Sequence, residues 1–268
     1  MDYIQSILLG IIQGLTEFLP VSSSGHLVLF QKIMNISYEG SQALTFDIAL
    51  HLATLTAVIY IFKDDIWQMI KKPFSKFSML ILTGTITTII VAMILKNVIE
   101  SAFETASTLG LEFLLTGAIL VFAETMAGGK KKLEKTTYAD AGIIGIAQGI
   151  SALPAISRSG ITLAAALIRG IDREFAIKLC FIMLIPSIIG ATILDSYKLI
   201  TESGVISIFE IGLLQIIFGM IAAGISGYFA IKIMIRIFST VKLWVFSIYL
   251  FIIGLLVILD QNVFNIFF

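Results

Sequence analysis

Apolar residues gather in six long stretches, about 44–62, 79–95, 109–126, 175–194, 208–230 and 243–259. Each comes near the roughly 20 residues that a helix needs to cross the hydrocarbon of a bilayer. Four further apolar pieces, about 4–19, 26–34, 141–153 and 160–169, are too short to cross. They form two pairs, each broken in the middle by Pro, Ser and Gly. Broken backbone at membrane depth is tolerated only where protein buries it or where it lines a polar cavity, so each pair predicts a re-entrant hairpin of two half-helices.

Sliding the chain by 135 positions lays Gln13, Gly14, Ser22, Ser24 and Gly25 on Gln148, Gly149, Ser157, Ser159 and Gly160. Each half then holds one hairpin followed by three spans. Because three is odd, the second half is inverted relative to the first, the plan met in transporters. The expected fold is an all-α polytopic membrane protein with an inverted-topology repeat, each half a re-entrant helix pair plus three transmembrane helices. One integral membrane domain is expected over 1–268, with internal repeats about 1–126 and 141–259.

Composition agrees: 58% of residues are hydrophobic and 13% charged, against about half and a quarter in soluble domains. The 18 basic and 18 acidic side chains cancel and form no basic face, so no nucleic-acid partner is expected. A single cysteine, Cys180, sets aside disulfide, CxxC and thiolate-zinc chemistry. The N-terminus lacks the basic region and cleavage site of a signal peptide and is expected to be retained.

Charge also orients the chain. Lys63, Lys71, Lys72, Lys76, Lys130, Lys131, Lys132, Lys135, Arg169, Arg173, Lys178, Lys232, Arg236 and Lys242 fall on one side of the proposed topology. The other side receives only Lys32, Lys96 and Lys198. The positive-inside rule makes the rich side cytoplasmic, so the first hairpin enters from outside, the second from the cytoplasm, and their tips meet in the bilayer.

The first tip carries Gln13, Glu17, Pro20, Val21, Ser22, Ser23, Ser24, Gly25 and His26. Ionisable residues at membrane depth are costly and by default functional. Gln13 and Glu17 share a helix face at i, i+4; together they suit a hard cation such as Mg²⁺ or Ca²⁺, or Glu17 alone suits a general base. The second tip carries Pro154, Ala155, Ser157, Arg158, Ser159 and Thr162. Both Ser-rich turns precede an outgoing half-helix, where free N–H groups and the helix dipole favour an anion. Arg158 adds a fork that grips phosphate oxygens. The expected ligand is a phosphate or pyrophosphate, with a serine as candidate nucleophile and His26 or Glu17 as its base. Read alone, the serines are also ordinary helix caps, and Arg158 an interface residue.

These residues resemble the undecaprenyl-diphosphate phosphatases linked to bacitracin resistance. The family's (E/Q)xxxE followed by PVSSxGH matches Gln13, Glu17, Pro20, Val21, Ser22, Ser23, Gly25 and His26, and its PGxSRSxxT matches Pro154, Ser157, Arg158, Ser159 and Thr162, with Ala155 in place of Gly. The resemblance implies hydrolysis of a polyprenyl diphosphate at an outward-facing site in the plasma membrane, recycling the carrier lipid for cell-wall assembly, with dependence on a divalent cation. Carried over by position, the catalytic residues are Glu17, Ser23, His26 and Arg158; Ser22, Ser157, Ser159 and Thr162 bind substrate; Gln13 and Glu17 hold the cation. Ser23 is the preferred nucleophile and His26 its rival.

Outside the motifs, Asp47 and His51 share a face of the first span, where hydrogen bonding between helices is the expected role and a place beside the first tip the alternative. Gly219, Ala223 and Gly227 form a small-xxx-small stripe that permits close packing within the chain or across a homodimer. Pro186 is expected to kink the fourth span. The rival function is a polyprenyl-phosphate flippase or secondary transporter, which the same fold would serve. Spans this uniformly apolar argue against an ion channel.

Overall fold

The computed structural model describes residues 1–36, 40–99, 108–153, 156–202, 211–238 and 240–267; Pro154 and Ala155 of the second tip, and the start of the fifth apolar stretch, lie outside the described residues. The described helices are α1 (Tyr3–Phe18), α2 (Ser23–Ile33), α3 (Ser41–Ile61), α4 (Lys63–Lys71), α5 (Lys76–Ile94), α6 (Leu109–Met126), α7 (Tyr138–Ile150), α8 (Arg158–Ile168), α9 (Arg173–Glu202), α10 (Leu213–Ile237) and α11 (Trp244–Leu259), closed by a π-helical turn, Asp260–Phe264. Six of these, α3, α5, α6, α9, α10 and α11, are long and apolar enough to cross a bilayer. They match the six predicted stretches, although α9 and α10 run further than their apolar windows. Pro186 lies within α9, which continues on both sides of it.

The two short pairs form as predicted, α1 with α2 and α7 with α8. Their caps explain the boundaries. Asp2 and Thr137 each close a capping box with the side chain three residues on, Gln5 and Asp140. Ser22 and Ser157 each accept the N–H of a glycine, Gly25 and Gly160, at the start of α2 and α8. Between the halves of each hairpin the chain turns, and these caps satisfy donors that a helix start leaves orphaned.

Packing is dominated by small residues. Gly10 and Gly14 of α1 face Gly219, Ala223 and Gly227 of α10 so closely that a methyl group at either would meet α10 backbone. The stripe on the fifth span therefore receives the first hairpin of the same chain. The second hairpin packs likewise: Gly145 of α7 sits on Gly84 of α5, and Thr88 of α5 donates to the Gly145 carbonyl at 3.1 Å. The third close pair is α6 with α11, through Gly110 and Gly254. In lipid, dispersion contacts and interhelical hydrogen bonds replace the hydrophobic effect as the force between helices, and small residues maximise them.

The stretches that the charge count placed on one side do meet at one end of the bundle. Lys76 donates to the Glu134 carbonyl at 2.6 Å, Lys178 pairs with Asp65, and Arg173 pairs with Glu124 at 2.5 Å. Glu124 also accepts the Leu243 N–H at 2.9 Å, tying α6, α9 and α11 together. Asp140, fully buried, takes Arg169 Nε at 2.7 Å and Lys131 Nζ at 3.3 Å. Burial pushes its carboxyl up, but the Thr137 N–H, Arg169, the Thr137 hydroxyl and Lys131 outweigh that and hold it at about 2. A short bridge between Lys131 and Ile171 completes this end. Sequence reading missed α4, whose five charged or polar positions masked a helix; Ile66 and Met69 pack it on the core while Trp67 and Ile70 stay exposed.

Candidate active site

The two hairpin tips close on a recess of about 330 Å³, including its mouth, lined by Glu17, Ser23, Ser24, His51, Ser151, Ile156, Ser157, Arg158 and Ser159. It lies between the first turns of α2 and α8, so the N-termini of both outgoing half-helices border one space, as the Ser-rich turns predicted. Ser159 Oγ donates to the Leu19 carbonyl at 2.9 Å, which fastens the second tip directly to the first.

Glu17 ends α1 as a buried carboxylate. Its Oε2 accepts Gln13 Nε2 at 2.9 Å and Ser23 Oγ at 2.5 Å, and His51 Nε2 stands 3.7 Å away. Nucleophile candidate and base candidate are therefore in direct hydrogen-bond contact, the arrangement that an activated hydroxyl requires. Across the recess, Arg158 Nη1 is buried without a hydrogen-bond partner. An unpaired buried guanidinium nitrogen is costly, and it is explained by an anion that completes it.

The predicted residues divide into two groups. Glu17, Ser23, Ser157, Arg158 and Ser159 line the recess, and Gln13 stands directly behind Glu17. Ser22, His26 and Thr162 do not line it. Thr162 donates to the Arg158 carbonyl at 2.8 Å and meets Cys180 of α9. Ser22 caps α2 with φ 71° and ψ 96°, a region costly to a residue with a Cβ, by about 1–3 kcal/mol. His26 is buried, with Nδ1 2.6 Å from the Ser22 carbonyl and Nε2 2.6 Å from the Tyr249 hydroxyl. Both ring nitrogens are thus engaged away from the recess. In this arrangement His26 stands behind the first tip and does not line the recess.

The residues that the motifs did not supply are His51, Ser24 and Ser151. For His51 the signal was its polarity within an apolar span; Ser151 offered none beyond its place in the broken turn. Gln148, equivalent to Gln13 by position, instead donates to the Met183 carbonyl of α9 at 3.1 Å.

A cation can be tested against these donors. Gln13 Oε1 is buried without a partner beside the Glu17 carboxylate, and both are hard oxygen donors suited to Mg²⁺ or Ca²⁺. Among the described residues no cluster of three or more His, Cys, Asp or Glu forms a full cage. The fit is to an ion that takes its other ligands from water and substrate oxygens, as Mg²⁺ usually does.

Comparison with known proteins agrees with this picture. A family model described as "Bacitracin resistance protein BacA" matches residues 6–256. The chain is 46% identical to an undecaprenyl-diphosphatase of Carboxydothermus hydrogenoformans, covering 97% of this chain and 98% of the relative. It is 39% identical to one from Halothermothrix orenii over 98% and 100%, and 40% identical to undecaprenyl-diphosphatase 4 of Bacillus cereus over 97% and 98%. With the match running nearly end to end and through both tips, the chain belongs to the bacitracin resistance protein BacA family of multi-pass membrane proteins.

Proposed function

We infer that the protein is a membrane phosphatase that hydrolyses undecaprenyl diphosphate to the monophosphate and inorganic phosphate, recycling the carrier lipid for cell-wall synthesis and conferring resistance to bacitracin. The observation that carries the mechanism is the 2.5 Å hydrogen bond from Ser23 Oγ to Glu17 Oε2, facing Arg158 across the recess. A carrier that only moved lipid would need no such pair, which favours the enzyme over the flippase.

Arg158 and the first-turn N–H groups of α2 and α8 hold the diphosphate, and Ser157 and Ser159 shape the same wall. Ser23 Oγ attacks the terminal phosphorus as Glu17 takes its proton. The Oγ–P bond forms, the bond to the bridging oxygen breaks, and polyprenyl monophosphate leaves. Water then attacks the phosphoserine, restoring the Ser23 hydroxyl and releasing phosphate, while the proton on Glu17 passes to solvent. Stabilising charge on the transferring group is the main task in phosphoryl transfer, and Arg158, whose Nη1 has no hydrogen-bond partner, performs it. Gln13 and Glu17 would hold a divalent cation, which when bound neutralises the diphosphate and improves the leaving group.

Support for an inverted repeat comes from exchanged packing. α1 of the first half lies on α10 of the second, and α7 of the second lies on α5 of the first; α1 and α7 start 135 positions apart, as do α2 and α8. The recess opens to the outer face in this reading. His51 is the middle residue of α3, and Asp195, within charge reach of Arg158, lies in the half of α9 away from the basic end. Phosphate release from polyprenyl diphosphate by the purified protein, with and without EDTA, tests the function. Well-folded protein that released none with any cation would sink it.

A further inference from the structure

We propose that Tyr249 is a positioning residue, acting through His26 to hold the turn that presents Ser23. The proposal rests on the phosphatase reading above and adds a part that neither sequence motif contains. Ser23 begins α2 directly after Ser22, whose φ of 71° is one that side chains rarely adopt. Such a conformation persists only where the surroundings over-determine it. Here they do. The Ser22 carbonyl accepts from His26 Nδ1 at 2.6 Å, and Ser22 Oγ accepts the Gly25 N–H at 3.2 Å.

Chemistry fixes the direction of the next bond. A carbonyl only accepts, so Nδ1 carries the hydrogen; in a neutral ring Nε2 is then an acceptor, and the Tyr249 hydroxyl donates to it at 2.6 Å. The two rings also stack, with centroids 5.6 Å apart and an 11° interplanar angle, and Phe113 meets His26 edge-on at 5.3 Å. The imidazole is therefore clamped by α6 and α11 against a carbonyl on the nucleophile's own turn. Tyr249 is 223 residues from His26, so the contact ties the last span to the first tip. A strained turn that exposes a serine at a helix N-terminus is the device of nucleophile elbows in soluble hydrolases; here a His–Tyr pair keeps it in place.

Two measurements test this. Tyr249→Phe keeps the ring and removes the hydroxyl; it is expected to lower kcat about tenfold, the scale of one neutral hydrogen bond, with KM within about twofold. In a His26→Ala background the same change should cost nothing further, because Tyr249 acts only through His26. An equal loss in both backgrounds, or a loss confined to KM, would overturn the proposal in favour of a lipid contact. Independently, ¹⁵N-histidine labelling in bilayers reports only two imidazoles, His26 and His51. The Nε2 resonance of His26 should move on Tyr249→Phe while that of His51 stays, and an unmoved His26 signal would refute the contact even in protein that released no phosphate. Wild-type protein without phosphatase activity would instead refute the reading on which the proposal builds.

Discussion

Ser23 and Arg158 hold the same place in their hairpins: each is the first residue of an 11-residue outgoing helix behind a capping serine, 135 positions apart. The caps differ. Ser157 has φ −66° and ψ 110°, an ordinary N-cap geometry, whereas Ser22 is forced to φ 71°. The first turn carries a short side chain that must meet the Glu17 carboxylate; the second carries a long guanidinium that reaches the recess without special backbone. The positions matching Glu17 and His26 in the second half are Ala152 and Ile161, so the carboxylate and the imidazole belong to the first tip alone. Two hairpins of matching length and spacing thus bring different side chains to one recess.

The largest expected effect comes from removing the proposed nucleophile of the first tip. Ser23→Ala is expected to lower kcat at least about 10³-fold with little change in substrate binding, and single-turnover assays would check it. Activity retained in Ser23→Ala would break the division of labour between the tips. Next, Glu17→Gln removes the proposed base while keeping a hydrogen-bond partner, for an expected loss of about 10²–10⁴-fold in kcat. On the other tip, Arg158→Lys keeps the charge but not the fork, and about 10²-fold loss in kcat/KM is expected; parity with wild type would mean that Arg158 acts only as a point charge.

Smaller effects sharpen the structural side of the comparison. Asp140→Asn breaks the buried pairing that anchors the second hairpin to the basic end, and thermal unfolding in detergent should show a loss of about 3 kcal/mol. Since the Asp140 carboxyl is lowered to about 2, its stabilisation is complete above its ordinary value of 3.8 and fades as pH falls through about 2. The Asn variant should lose that acid dependence. Last, Gly14→Ala overpacks α1 against α10, with an expected cost of about 1–3 kcal/mol seen in the same unfolding assay.

Much of this molecule was legible in its residues because a bilayer leaves few choices. A span must be about 20 apolar residues, so hydropathy located all six, and a broken apolar pair has no stable home except a protected hairpin. Lysine and arginine counts correctly grouped loops that the structure gathers at one end. Two things escaped. Helix α4 is amphipathic and short, and its charges read as loop. The other is that His51, read mainly as an interhelical hydrogen-bonder, lines the recess while His26 does not, because sequence shows that an imidazole is present but not what its two nitrogens touch.

Sequence by itself therefore determined the class, the six spans and the two tips with the polar residues on them, since each follows from local composition and spacing. Tertiary structure alone decided which of those residues share a recess. It set Ser23 against Glu17, left Arg158 Nη1 unpaired, turned His26 toward Tyr249, and gave the glycine stripe of α10 to α1. The physical reason is distance along the chain: these contacts join segments as much as 223 residues apart. Only the packing of whole helices fixes which atoms fall within hydrogen-bond reach.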